Sequence, residues 1–319
     1  MITFFVSLAL LIAGYIVYGA FVEKIFGIDP KAETPAIRLR DNVDFVPMST
    51  WKIFLIQFLN IAGLGPIFGA IAGAMWGPVA FLWIVFGCIL GGGVHDYLSG
   101  MLSLRHDGKS IPEIVGKYLG VSFKQFMRGF TVILMIIVGA VFIKGPASIL
   151  NDLTNSVLSI NFWVALVLVY YILATLLPID KLIGRIYPVF GFALLFMALG
   201  IIIGLFSEGY HVPELTFSNL INMHSNPGKF SVFPMLFVTV ACGAISGFHS
   251  TQSPLMARCL KSEKLGRRVF YGAMVAEGIV ALIWAAAAMA FFGSVDELNT
   301  AMNEHKGNAA WAVNIISNT

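Results

Sequence analysis

Two acidic residues stand inside otherwise apolar runs: Asp96, just after Gly91-Gly92-Gly93, and Glu277, in YGAMVAEG. Ionisable groups at membrane depth are costly and mark proton or ion pathways by default. Asp96 and Glu277 are therefore the candidate coupling groups, for a proton or another cation. A third titratable group, His249, falls where an apolar run breaks in FPMLFVTVACGAISGFHSTQSP, and an imidazole titrates near neutral pH. A second break lies in WKIFLIQFLNIAGLGPIFGAIAGA, with Gln57 and Asn60 one turn ahead of it.

Backbone that leaves the helix at membrane depth survives only inside protein or beside a watery cavity, so each break is a candidate site. A half-helix that begins inside the membrane offers unpaired N–H groups and a positive dipole end, which suit a carboxylate. Half-helix C-termini and unwound carbonyls attract cations instead. The expected substrate site is built from Gln57, Asn60, Gly63, Leu64, Gly65 and Pro66 in the first segment. The second supplies Gly243, Ser246, Gly247, Phe248 and His249. Such a site favours an anion or zwitterion. His95, Asp96 and His249 carry metal-ligating atoms, but no spacing such as HExxH ties them together, and neither a metal nor a cofactor is expected. Asp96 with His95 or His249 leaves an intramembrane acid–base enzyme as one alternative, although no nucleophile accompanies them. A channel is another, against which the paired breaks argue.

The elements that must carry these residues are membrane helices. The chain is 58% hydrophobic and 12% charged, with a mean hydropathy of +0.85, well outside the soluble range. Nothing recommends a nucleic-acid partner. Three cysteines, Cys88, Cys242 and Cys259, imply no disulfide framework and read as small hydrophobes. Roughly 20 apolar residues cross the hydrocarbon core, and eight spans fit: 2–22, 52–74, 78–103, 126–148, 161–178, 185–206, 232–257 and 269–293. Met1 to Leu11 lacks the basic residues of a signal peptide, so the first span is expected to be retained. With the N-terminus outside, 17 of the 20 Lys and Arg residues fall inside and only Lys144, Lys229 and Lys306 outside, as the distribution of basic residues requires. The inner segment 23–51 is too long for a simple connector and holds three prolines, which leaves two readings, a structured cap tied by ion pairs or a gate that opens on the cytoplasmic side. Lys144 reads as a side chain that reaches up to the headgroups.

Setting aside the first span, the breaks fall in the first and sixth core helices and therefore start from opposite sides of the membrane. That is the plan of a LeuT-type inverted repeat, in which discontinuous helices face each other at the midplane. The expected fold is an all-α polytopic membrane protein with a LeuT-like core and an extra N-terminal helix. Such a core needs ten helices and this chain supplies seven, so the last part of the second repeat is expected to be missing. The sequence then reads as an N-terminal fragment, residues 1–319 forming one transmembrane domain.

The blocks DPKAETPAIRLRDNVDFVP, IAGLGPIFGAIAGAMWG, GGVHDYLSGMLSLRHDGKS, CGAISGFHS and YGAMVAEG, in this order, resemble the carbon-starvation protein (CstA) family over nearly the whole chain. The resemblance implies a transporter of the bacterial inner membrane, in the amino acid–polyamine–cation superfamily, that takes up peptides or, in some members, pyruvate with protons. The chain departs from the family pattern at Ile56 and Gln57, where members carry two histidines, and at His95, where they carry Gln. Longer members also have extra helices ahead of the second break.

Overall fold

Glycine and proline decide where this chain stops being regular helix. The computed structural model describes residues 1–154, 157–176, 179–245 and 248–317, and the regular structure among them is all helical. Five helices are long and apolar enough to cross a membrane: α1 (Ile2–Phe26), α4 (Val79–Arg105), α6 (Val121–Leu153), the Tyr187–Ser207 part of α8 (Ile179–Ser207), and α11 (Glu263–Phe291). The expected 52–74 span, with its break at Gly63-Leu64-Gly65-Pro66, is a pair, α2 (Thr50–Ile61) and α3 (Gly65–Ala74), bent by 52°. The expected 161–178 span is α7 (Ile160–Leu176), shorter than the others. The expected 232–257 span divides into α9 (Phe237–Ala244) and α10 (His249–Ala257). Outside the spans lie the short helix Pro35–Arg38 and three longer ones, α5 (Ile111–Leu119), α12 (Val295–Glu304) and α13 (Ala309–Ser317).

Local sequence explains the short helices. Ser110 and Glu113 form a capping box at the start of α5, with Pro112 in its first turn. The Ser110 N–H and hydroxyl hold the Glu113 carboxyl below its usual range. Ser294 caps α12 by accepting the Glu297 N–H, and Asp296 and Glu297 suit its positive end.

α11 occupies the centre of the bundle and packs against α1, α2, α3, α4, α8, α9 and α13. Its run Ala285–Ala288 is fully buried, and small residues of this kind let membrane helices approach closely. Where α4 widens into a π-turn at Gly87–Gly92, the Ile89 carbonyl accepts a hydrogen bond from the Tyr271 hydroxyl of α11 at 2.7 Å. α6 lies at the other extreme. It packs against α5, α7 and α13, while Val132, Ile133, Ile136 and Ile137 are exposed, as a lipid-facing surface would be.

Segments expected on one side of the membrane gather at one end of the bundle. Arg105, at the end of α4, donates to Glu263 at 2.9 and 3.0 Å and to the Gly27 carbonyl at 2.6 Å, and Glu263 also accepts the Asp29 N–H at 2.7 Å. Nearby, Arg267 pairs with Glu23 at 3.2 Å, and Arg38 with Asp107. Arg258 reaches Asp44 at 3.9 Å, so the 23–51 segment is tied down by ion pairs. At the opposite end Trp76 donates to the Phe230 carbonyl at 3.1 Å, and Asn299 joins Met75, Met223 and Ser225. Glu214 caps α1 there: burial pushes its carboxyl up, but the Met1 ammonium, the Thr3 hydroxyl and the Ile2 and Thr3 N–H groups outweigh that and hold it at about 2.

The two broken segments touch where glycine permits it. A Cβ on Gly69 of α3 would lie 2.7 Å from the Thr239 carbonyl of α9, a backbone atom that cannot rotate away. Gly69→Val should therefore cost about 1–3 kcal/mol of stability through overpacking, read from unfolding of the detergent-solubilised protein. Gly200→Ala, in open space, should not show this loss. Equal stability of the two variants would mean that α3 and α9 do not meet as described.

Candidate functional site

Both breaks end a helix in the same way. The Ala62 N–H still donates to the Phe58 carbonyl at 2.7 Å, and the Ile245 N–H to that of Ala241 at 2.6 Å. Each residue then leaves helical backbone, Ala62 at φ −80°, ψ 48° and Ile245 at φ −145°, ψ 69°. Helix resumes at Gly65 with a π-turn through Gly69, and Pro66 there sacrifices no N–H that the first turn could have paired. On the other segment it resumes at His249, after the Phe248 carbonyl accepts the Thr251 and Gln252 N–H groups. Ser246 and Gly247 lie outside the described residues, and Gly243 sits within α9 just before the break.

The halves cross-pair. α2 packs against α10, and α3 against α9. α2 begins and α10 ends at the basic end of the bundle, where the Met48 N–H donates to the Cys259 carbonyl at 3.2 Å. The pairs are therefore antiparallel, and the first turns of α3 and α10 both open into the interior. The earliest N–H groups of any helix lack intrahelical partners, so two positive helix ends face the level of the breaks.

A polar cluster joins the basic-end halves to α4. Gln57 of α2 donates through Nε2 to Asp96 Oδ1 at 2.8 Å and to Ser253 Oγ at 3.0 Å, and the Ser253 hydroxyl of α10 donates to the same Oδ1. All three side chains are fully buried. One turn away, His95 and His249 meet through their Nδ1 atoms at 3.1 Å, so one is the donor and the other the acceptor. The pattern follows from helix geometry: His249 and Ser253 lie four apart on one face of α10, and they meet the adjacent pair His95 and Asp96. Asp96 stands nine residues before the end of α4 at Arg105, roughly 14 Å at the helical rise.

Glu277 lies in the central helix, fully buried, and neither carboxyl oxygen has a hydrogen-bond partner among the described residues. It sits within electrostatic reach of Asp96 and of the Cys88 thiol. No Lys or Arg pairs with Asp96 or Glu277 among the described residues. Two buried acids without a cationic partner hold charge only at high cost; a proton or small cation would relieve it. Among the described residues no group of three or more His, Cys, Asp or Glu side chains could hold a metal.

The other expected residues are distributed differently. Asn60 faces α8, where it accepts the Tyr187 hydroxyl at 2.7 Å, so it ties helices together while Gln57 enters the polar cluster. Gly63 is pressed by the Phe142 ring of α6, which a Cβ would meet at 2.7 Å, and Leu64 lies against Gly145. Phe142 also meets the Phe248 ring edge-on at 5.3 Å. One aromatic side chain thus touches both breaks, and the Tyr171 hydroxyl of α7 holds its carbonyl at 3.1 Å. Sequence reasoning missed Phe142 and Ser253. The i, i+4 spacing from His249 could have pointed to Ser253; nothing around Phe142 marked it among many apolar neighbours.

Crossed half-helices around a buried acid, in a bundle of apolar helices, define a multi-pass membrane protein with an interrupted-helix site. The sequence matches the profile of the carbon starvation protein CstA over residues 1–162 and 148–319, and the chain belongs to that family. It is 43% identical to an uncharacterized membrane protein of Haemophilus influenzae, over 95% of this chain and 94% of that one. It is 29% identical to the peptide transporter CstA of Helicobacter pylori, over 85% of this chain and 48% of that one. To the pyruvate/proton symporter BtsT of Escherichia coli it is 27% identical, over 87% and 47%. The chain thus spans about half the length of these two curated transporters. No solved structure matches it.

Ser253→Ala removes one of two donors to a buried carboxyl, and should lower stability by about 1–3 kcal/mol. Ser253→Thr, which keeps the hydroxyl, should retain most of it. Unfolding midpoints in detergent compare the two, and equal losses would show that the hydroxyl contributes nothing to Asp96.

Proposed function

We propose that this chain forms the substrate-handling part of a secondary active transporter. It imports a small carboxylate-bearing nutrient, a peptide or pyruvate, together with protons and by alternating access. The observation that carries this reading is the antiparallel crossing of two broken helices, with a buried acid at their junction that has no cationic partner among the described residues. Paired interrupted segments in two halves of a membrane protein are the best pointer to a transporter's binding site. The names of the relatives, peptide transporter and pyruvate/proton symporter, support the same class and argue against an enzyme.

In this reading the core is LeuT-like, with α1 outside the repeat. The first turns of α3 and α10 receive the substrate carboxylate, and Gly63, Gly65 and Pro66 let it approach the backbone. Phe248 and Phe142 close the space beside it. Asp96 and Glu277 carry the coupling proton between α2, α4, α10 and α11. The weight of Lys and Arg at the Arg105–Glu263 end supports a cytoplasmic placement for that end, with the N-terminus outside and the chain in the inner membrane of a bacterium.

Uptake by the full chain in proteoliposomes tests the proposal. Labelled pyruvate and labelled di- and tripeptides are offered with and without an inward proton gradient. Accumulation that requires the gradient is expected for one class; hydrolysis products without accumulation would overturn the transporter reading. Gly65→Leu should abolish uptake while leaving the protein inserted, and wild-type uptake in that variant would remove the first break from the site. Glu277→Gln should flatten the pH dependence of uptake, whereas an unchanged profile would leave Glu277 a packing role.

A further inference from the structure

Hydrogen-bond accounting at Asp96 leaves two atoms over. Oδ1 accepts both the Gln57 amide and the Ser253 hydroxyl, but Oδ2 has no partner. The Gln57 amide mirrors this: Nε2 makes two bonds and Oε1 none. Both orphans are acceptors, both are buried, and they belong to the same bonded pair. Buried polar atoms in native proteins are nearly always satisfied, and a single hydrogen would satisfy these two at once.

We infer that Asp96 binds the proton on Oδ2 and donates it to Gln57 Oε1, so that acid and primary amide pair through two parallel hydrogen bonds. A protonated carboxyl offers one donor and a remaining acceptor, which complements an amide's acceptor and donor. An ionised Asp96 would instead leave a charge with no cationic partner in a dry site. The titratable groups around it are His95 on its own helix, His249 from α10, and Glu277 from α11, whose field has the same sign as an ionised Asp96. His95 and His249 are already engaged with each other, and their contact needs at least one unprotonated nitrogen.

The pairing also supplies a release step. Gln57 rides on α2 and Ser253 on α10, the basic-end halves of the two broken helices, while Asp96 belongs to α4. Movement of α10 away from α4 removes only the Ser253 bond to Oδ1, whereas movement of α2 breaks both bonds to Gln57 and leaves Oδ2 to water. The O–H bond then cleaves, the proton passes to water, and the electron pair stays on the carboxylate. Proton release is thereby tied to movement of α2, the half-helix that carries Gln57.

This inference locates the proton of the proposed coupling between Asp96 and Gln57 and rests on that reading for its role, but its test needs no transport. Infrared difference spectra of the full chain in lipid vesicles at neutral pH compare wild type with Asp96→Asn. Asparagine can replace the neutral acid bond for bond, donating to Gln57 Oε1 and accepting from Nε2, so the variant should fold. The expected result is a protonated-carboxyl carbonyl band in wild type that Asp96→Asn removes and Gln57→Leu shifts to higher frequency. Loss of carboxylate bands alone in Asp96→Asn, or a band that Gln57→Leu leaves unmoved, would overturn it. Failed uptake in vesicles that still show the band would sink the transporter reading and leave the proton site standing.

Discussion

A peptide group that leaves its helix in the hydrocarbon core has only protein or trapped water to bond with. This chain meets the constraint twice, at Ala62–Leu64 and after Ala244, and much of its architecture follows. The two interruptions lie in segments that cross antiparallel, so each half-helix is covered by a half of the other. α11 backs the crossing with the alanine-rich run Ala285–Ala288 and carries Glu277, while α4 supplies the one acid that bridges the halves. A plain bundle of continuous spans would need none of this.

The polar cluster shows how local spacing and distant pairing divide the work. On α10, the separation of His249 from Ser253 ensures that both face the same neighbour. On α4, His95 and Asp96 are adjacent, and the helix turns them apart enough for one to meet each. Only Gln57 arrives from a third helix, and its amide can serve the acid as both donor and acceptor.

Spans, breaks and the two ends of the bundle were legible because each is local or additive. Apolar runs mark the spans, Gly63-Leu64-Gly65-Pro66 marks a break, and the distribution of Lys and Arg sorts the ends. Of the eight expected spans, five are helices long and apolar enough to cross a membrane and a sixth is the bent pair of α2 and α3, while the 161–178 and 232–257 runs form shorter helices. The contacts of the candidate site were not legible in this way. Gln57 meets Ser253 across 196 residues and His95 meets His249 across 154, and no periodicity reports such pairings. Asn60 is the instructive case: three residues from Gln57 and of the same chemical type, it turns to Tyr187 instead. Phe142 was hidden for a different reason, since its role depends on the two glycine-rich gaps it fills and not on its own neighbours.

Phe142 hangs from α6, the most sparsely embedded of the long helices, and not from the alanine-packed centre. The stopper between the interruptions and the framework that keeps the molecule folded are thus mounted on different parts. Withdrawing the ring asks α6 to shift along its exposed face and asks nothing of α11. Substitution at this position can therefore widen or narrow the gap between the interruptions without disturbing the alanine-rich centre.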